Sequence, residues 1–127
     1  MIGAWRVLAA GLLIVAAVPC VPRSAGAHAL VLEASPRANE VLGAPPSRIF
    51  LRFNSRIEQG LSSLTVTGPS GRPIPLLVAG APEGAPDRLV VPLPPLQPDT
   101  YLVRWKVLSA DGHVTGGAFR FTVSPGP

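Results

Sequence analysis

The sequence predicts an all-β sandwich or barrel of about seven strands. Short apolar runs are divided by Gly and Pro, which number 13 and 16 in 127 residues. The clearest runs alternate apolar and polar residues with period two, the repeat of a half-buried strand. No segment after residue 27 sustains the 3.6-residue repeat of an amphipathic helix. The length bounds the chain to one modest domain. With 47% hydrophobic and 14% charged residues, a packed core is expected rather than a solvated tail.

Residues 1–27 read as a secretory leader. Arg6 is followed by the uncharged apolar run 7–18, then Arg23 and the small-x-small sequence Ala25-Gly26-Ala27, so cleavage is expected after Ala27. The apolar run is too short to cross about 30 Å of hydrocarbon at about 1.5 Å per residue. Cys20 would be the acyl acceptor of a lipoprotein, but Pro19 before it fits that role poorly. Removal of the leader takes away Met1 and Cys20, leaving residues 28–127 with no sulfur-bearing side chain. An exported chain without a disulfide must be stabilised by its core alone.

The first strand is expected over 29–35, ended by Pro36. The second, over 47–54, sets Ile49, Leu51 and Phe53 on one face and Arg48, Phe50, Arg52 and Asn54 on the other. A third, over 62–67, ends in the turn Gly68-Pro69-Ser70-Gly71. A weaker edge strand is expected over 74–79, next to Pro73 and Pro75. Residues 80–87 are a loop, and 88–93 a strand closed by Pro92, Pro94 and Pro95. The strongest strand, 100–109, alternates Tyr101, Val103, Trp105 and Val107 with Leu102, Arg104, Lys106 and Leu108. The last, 118–123, turns Phe119, Phe121 and Val123 inward. The aromatics of these strands are core residues rather than a ligand-stacking surface. Tyr101, following Leu96-Gln97-Pro98-Asp99, has the placement of a tyrosine corner. Arg104, Lys106 and Arg120 form a solvated face. The basic residues are spread singly, which excludes the dense stripe of a nucleic-acid-binding protein.

The chemistry concentrates on the chain's two histidines, His28 and His113. Cleavage after Ala27 makes His28 the first residue, so its α-amine and imidazole together close a chelate ring on a metal. Asp111-Gly112-His113 lies between the two best strands and adds an anionic oxygen and a third nitrogen. On an extended segment, the i, i+2 spacing sets Asp111 and His113 on one side. Three nitrogens and one oxygen in a flat arrangement select Cu(II). Zn(II) takes the same donors but favours tetrahedral geometry. Cu(I) favours sulfur ligands, and residues 28–127 have none.

Residues 28–127 resemble the CopC family of periplasmic copper-binding proteins. The matching stretches are His28-Ala29, Ser35-Pro36-Arg37-Ala38-Asn39, Ile49-Phe50-Leu51-Arg52-Phe53-Asn54 and Leu96-Gln97-Pro98-Asp99-Thr100-Tyr101. The more specific ones are Val103-Arg104-Trp105, with Ser109-Ala110-Asp111-Gly112-His113 after it, and Gly117-Ala118-Phe119-Arg120-Phe121-Thr122-Val123. The resemblance implies a Greek-key β-barrel or sandwich, immunoglobulin- or cupredoxin-like. It also implies one high-affinity Cu(II) site at His28, Asp111 and His113, and a role in copper trafficking or tolerance, often beside a CopD-type membrane partner. Two features depart from the family pattern. Some members carry a Glu soon after the second strand, where this chain has Asn54-Ser55-Arg56. Members with a Cu(I) site use a Met-rich loop, so no Cu(I) site is expected here. Many relatives continue into transmembrane helices, whereas this sequence stops at Pro127, so no membrane span is expected in the mature chain.

The expected function is therefore a non-catalytic Cu(II) carrier or buffer, periplasmic or secreted. Two alternatives remain open. One is an immunoglobulin-like structural or adhesion module with incidental histidines. The other is a copper-dependent oxidative enzyme using an N-terminal His brace, although Asp111 would fill the position that oxygen activation needs open.

Overall fold

The computed structural model describes residues 29–76 and 85–126. Seven strands run in chain order: β1 Val31–Ser35, β2 Val41–Leu42, β3 Arg48–Phe53, β4 Ser63–Thr67, β5 Arg88–Pro92, β6 Asp99–Leu108 and β7 Val114–Val123. A single 3-10 turn, Gln59–Leu61, precedes β4. The strands form two sheets, a three-stranded one in the order β1-β3-β5 and a four-stranded one in the order β2-β7-β6-β4. The chain passes from one sheet to the other at every connection except the β6–β7 hairpin. An all-β sandwich was expected, and this is one.

The core lies between the sheets and comes from the alternating positions. Ile49, Leu51 and Phe53 from β3 meet Val66 from β4, Tyr101, Val103 and Val107 from β6, and Phe121 and Val123 from β7, all buried. Phe53 and Trp105 pack edge to face across the sheets, with ring centroids 5.3 Å apart. Arg104, Lys106 and Arg120 are exposed on the outer side of the four-stranded sheet, as the alternation requires. The expected tyrosine corner forms: Tyr101 Oη donates to the carbonyl of Gln97 at 2.6 Å. Burial, chiefly, pushes this phenol above its ordinary pKa, and the charge of Asp99 adds to the rise.

Three features differ from expectation. β2 is only two residues long and pairs in parallel with the end of β7, Val41 opposite Thr122. Two residues carry no readable period, so only the tertiary pairing defines this strand. β7 starts at Val114 rather than Ala118, with Gly116 and Gly117 inside it. A Gly-Gly pair reads as a break, but at Gly117 the glycine makes room for the core: a Cβ there would lie 2.6 Å from the Trp105 ring. Finally, residues 74–76 form no strand, and Pro73 makes a single bridge to Thr67. The rest of that expected strand, 77–79, lies outside the described residues.

Candidate metal centre

The β6–β7 hairpin, the longest antiparallel pairing in the fold, carries the turn 109–113 at its tip. The Ser109 N–H donates to the His113 carbonyl at 2.8 Å, and the Gly112 N–H donates to the Ser109 carbonyl at 2.9 Å. Gly112 has φ 88°, a left-handed conformation that favours glycine. The Asp111 carboxylate folds back over the turn. Its Oδ1 accepts from the His113 N–H at 3.1 Å, and its Oδ2 lies 2.9 Å from His113 Nδ1. Asp111 and His113 are thus adjacent, as expected, but through a tight turn with an Asp side-chain clasp rather than through an extended strand. The hydrogen bond from the His113 ring, reinforced by its backbone N–H, lowers the Asp111 pKa. A histidine whose Nδ1 is held by a carboxylate is oriented to bind metal through Nε2.

The first described residues arrive at the same end of the sandwich. Ala29 is fully buried in the core cluster. The Leu30 N–H donates to Asn54 Oδ1 at 2.8 Å, and the Asn54 N–H returns a bond to the Leu30 carbonyl at 3.0 Å. Asn54 directly follows β3, and the chain from there runs straight to the hairpin tip. The Arg56 carbonyl accepts from the Ala110 N–H at 3.0 Å, Ile57 bridges Ser109, and the Glu58 N–H donates to the Leu108 carbonyl at 2.8 Å. Segment 54–58 therefore ties residue 30 on one side to residues 108–110 on the other. His28 lies outside the described residues. Among the described residues, no three His, Cys, Asp or Glu side chains come together as a metal cluster.

Two contributors at this end were not singled out from the sequence. Asn54 anchors the start of β1 through its amide oxygen. Its position after a strand gives no hint of a partner 24 residues upstream. Ser109, buried to 2% exposure, has a hydroxyl with no hydrogen-bond partner among the described residues. Its place in the Ser109-Ala110-Asp111-Gly112-His113 stretch was the available signal, and only burial shows that the hydroxyl is enclosed.

The CopC domain matches residues 31–124. The chain belongs to the CopC family. Protein YobA of Escherichia coli is 41% identical over 101 residues, which cover 79% of this chain and 82% of that protein. Copper resistance protein C of Escherichia coli is 35% identical over 107 residues, covering 79% of this chain and 84% of that one. Among solved structures, the crystal structure of CopC from Methylosinus trichosporium superposes with a TM-score of 0.69 at 32% identity, covering 77% of this chain and 95% of that one. The match spans both sheets of this family member, from β1 to just past β7. Among the described residues, no helix is long and apolar enough to cross a membrane.

Proposed function

We propose that this chain is exported, loses residues 1–27, and acts as a periplasmic or secreted copper-binding protein that carries or buffers Cu(II). The mature domain, 28–127, binds one Cu(II). Its ligands are the α-amine and imidazole of His28, the Asp111 carboxylate and the His113 imidazole. The observation that supports this reading most is the bridging segment 54–58, which joins the chain's start and the hairpin tip at one end of the sandwich. The family's copper resistance member supplies the metal's identity. The donor chemistry agrees, because a nitrogen-rich set without sulfur favours Cu(II) over Cu(I).

In this reading the Nδ1 contact of His113 holds the imidazole in place before loading, and Asp111 turns its carboxylate to the metal on binding. The protein is a carrier rather than an enzyme, since Asp111 closes the coordination position a reaction would need. The absence of Met after Met1 removes a Cu(I) site. A CopD-type membrane protein is the expected partner for transfer.

The test is the intact mass of the exported protein with and without copper. Cleavage after Ala27 and one added copper are expected. A second arm retains one extra residue ahead of His28, which acylates the amine. Equal Cu(II) affinity in the extended form would overturn the ligand set.

A further inference from the structure

The outer faces of the two sheets treat their cations differently. On the three-stranded sheet the outward arginines are engaged. Arg52 Nε lies 3.1 Å from Glu33 Oε2, and Arg88 Nε lies 3.6 Å from Asp87 Oδ1. The guanidinium groups of Arg48 and Arg88 each stand 5.9 Å from the centre of the Phe50 ring. On the four-stranded sheet the register turns Arg104, Lys106 and Arg120 outward, with Ser63 and Thr65 beside them. All three cations are exposed, and their side chains take no ion pair or hydrogen bond among the described residues. No acidic residue occupies an outward position of β4, β6 or β7. At the margins of the sheet, Glu40 Oε2 accepts from the Arg37 N–H and Asp99 Oδ1 from the Thr100 N–H, while Glu58, beside Leu108, forms no ion pair with Lys106.

The three cations are regularly spaced. Arg104 and Lys106 are two residues apart on β6, about 6.8 Å along the strand. Arg104 lies opposite Ala118, so Arg120 is its diagonal neighbour across the hairpin, about 7–8 Å away. Gly116 and Ala118 carry little or no side chain, which leaves a shallow groove bounded by Arg104 and Lys106. The groove reaches Val114, the residue after His113, and so runs alongside the hairpin tip. Three like charges this close repel one another in the free protein, and an anionic partner relieves that repulsion.

We propose that this face docks a protein partner through an extended acidic segment, whose carboxylates at alternate residues pair with Lys106, Arg104 and Arg120. Alternate side chains of an extended chain repeat at about 6.8 Å, which matches the interval of the cations. The two guanidinium groups suit bidentate carboxylates, and the small floor at Gly116 and Ala118 lets a backbone lie close. Three isolated cations do not make the dense stripe that a nucleic acid needs. A membrane surface would call for large apolar side chains standing among the cations. The exposed ones on this side, Val41 and Val114, lie at its margins. The docking does not depend on the ligand set proposed above.

The experiment uses the full mature chain without metal. The probes are a labelled peptide of alternating Glu and Thr, its counterpart with Gln in place of Glu, and phosphatidylglycerol vesicles. The Glu peptide is expected to bind at low ionic strength and to weaken as salt rises, while the Gln peptide does not bind. Amide resonances are expected to shift at Thr65, Gly116 and Ala118. Arg104→Gln, Lys106→Gln and Arg120→Gln together are expected to lower affinity about tenfold. A matched variant, Arg48→Gln, Arg52→Gln and Arg88→Gln, removes the same charge from the opposite face and is expected to bind as wild type does. Thermal unfolding checks that both are folded; should the first not fold, Arg104→Gln and Lys106→Gln are read singly, each expected to weaken binding about twofold. The proposal is overturned if the wild-type chain does not bind the Glu peptide, or if the two triple variants lose affinity equally, which would make net charge the cause. Amide shifts elsewhere, or vesicles bound in preference to the peptide, overturn it as well. Because no metal is present, a failure of the copper ligand set leaves every one of these outcomes unchanged.

Discussion

The two ends of the sandwich are built on opposite terms. At the end holding the start of β6 and the end of β7, the polar side chains named here find partners. Tyr101 Oη reaches Gln97, the hydroxyls of Thr100 and Thr122 meet at 3.0 Å, Ser124 Oγ donates to the Leu42 carbonyl at 3.1 Å, and Glu40 Oε2 accepts the Arg37 N–H at 2.7 Å. At the other end, where segment 54–58 meets the hairpin tip, the buried side-chain oxygens of Ser55, Gln59, Asp87, Ser109 and Thr115 have no hydrogen-bond partner among the described residues. Asp87 Oδ1 comes no closer than 3.6 Å to Arg88 Nε. A buried polar group left without any hydrogen bond costs about 1–3 kcal/mol in general. The difference teaches that the sandwich does not satisfy its polar side chains evenly, and that the end carrying Asp111 and His113 holds the buried oxygens without partners among the described residues.

The sharpest way to break this contrast is at the metal. Blocking the His28 amine with one extra residue, or making His113→Ala, is expected to weaken Cu(II) binding by about two orders of magnitude or more while leaving the apo fold intact. Chelator competition checks it, and an indifferent His113→Ala would favour the incidental-histidine alternative. At the bonded end, Tyr101→Phe is expected to cost about 1–2 kcal/mol, because the Gln97 carbonyl loses its donor. Denaturant unfolding measures this, and Cu(II) affinity is expected to stay unchanged.

Asn54→Ala joins the two effects. It removes the Leu30 anchor and is expected to cost about 1 kcal/mol, with a measurable loss of Cu(II) affinity as the chain's start is released. If stability falls and affinity does not, segment 54–58 does not position the site.

The smallest effect is acidic. The folded Asp111 pKa is lowered by His113, so its contribution to stability is present above the ordinary carboxylate value and lost as pH falls through the lowered one. Acid unfolding of the apo protein compared with its Asp111→Asn variant is expected to show this small loss on the acid side of the ordinary carboxylate range. Copper affinity should fall over a higher range, from about pH 8 to 5, because the amine and both imidazoles must be deprotonated to bind.

Much of this was legible from residue order. Period-two alternation marked β3 and β6, and the closing prolines marked β5, to within a residue or two, since a strand buried on one face must place Ile49, Leu51 and Phe53 together. Tyr101 announced its corner through its spacing from Gln97. The adjacency of Asp111 and His113 was legible because two residues separated by a glycine cannot be far apart. Segments whose conformation depends on a distant partner were not legible. β2 exists because β7 lies beside it, and Gly117 stays in a strand because the Trp105 indole occupies its side-chain space.

Local spacing therefore determined most of the strands and the hairpin tip with its Asp111–His113 pair, since neighbours along an extended chain or tight turn have fixed separations. Tertiary structure alone decided that residue 30 is tied through Asn54 to the segment reaching Ala110, and that the Ser109 hydroxyl is enclosed without a partner among the described residues. Both depend on residues far apart in sequence being brought together by the packing of two sheets, and no periodicity encodes that distance.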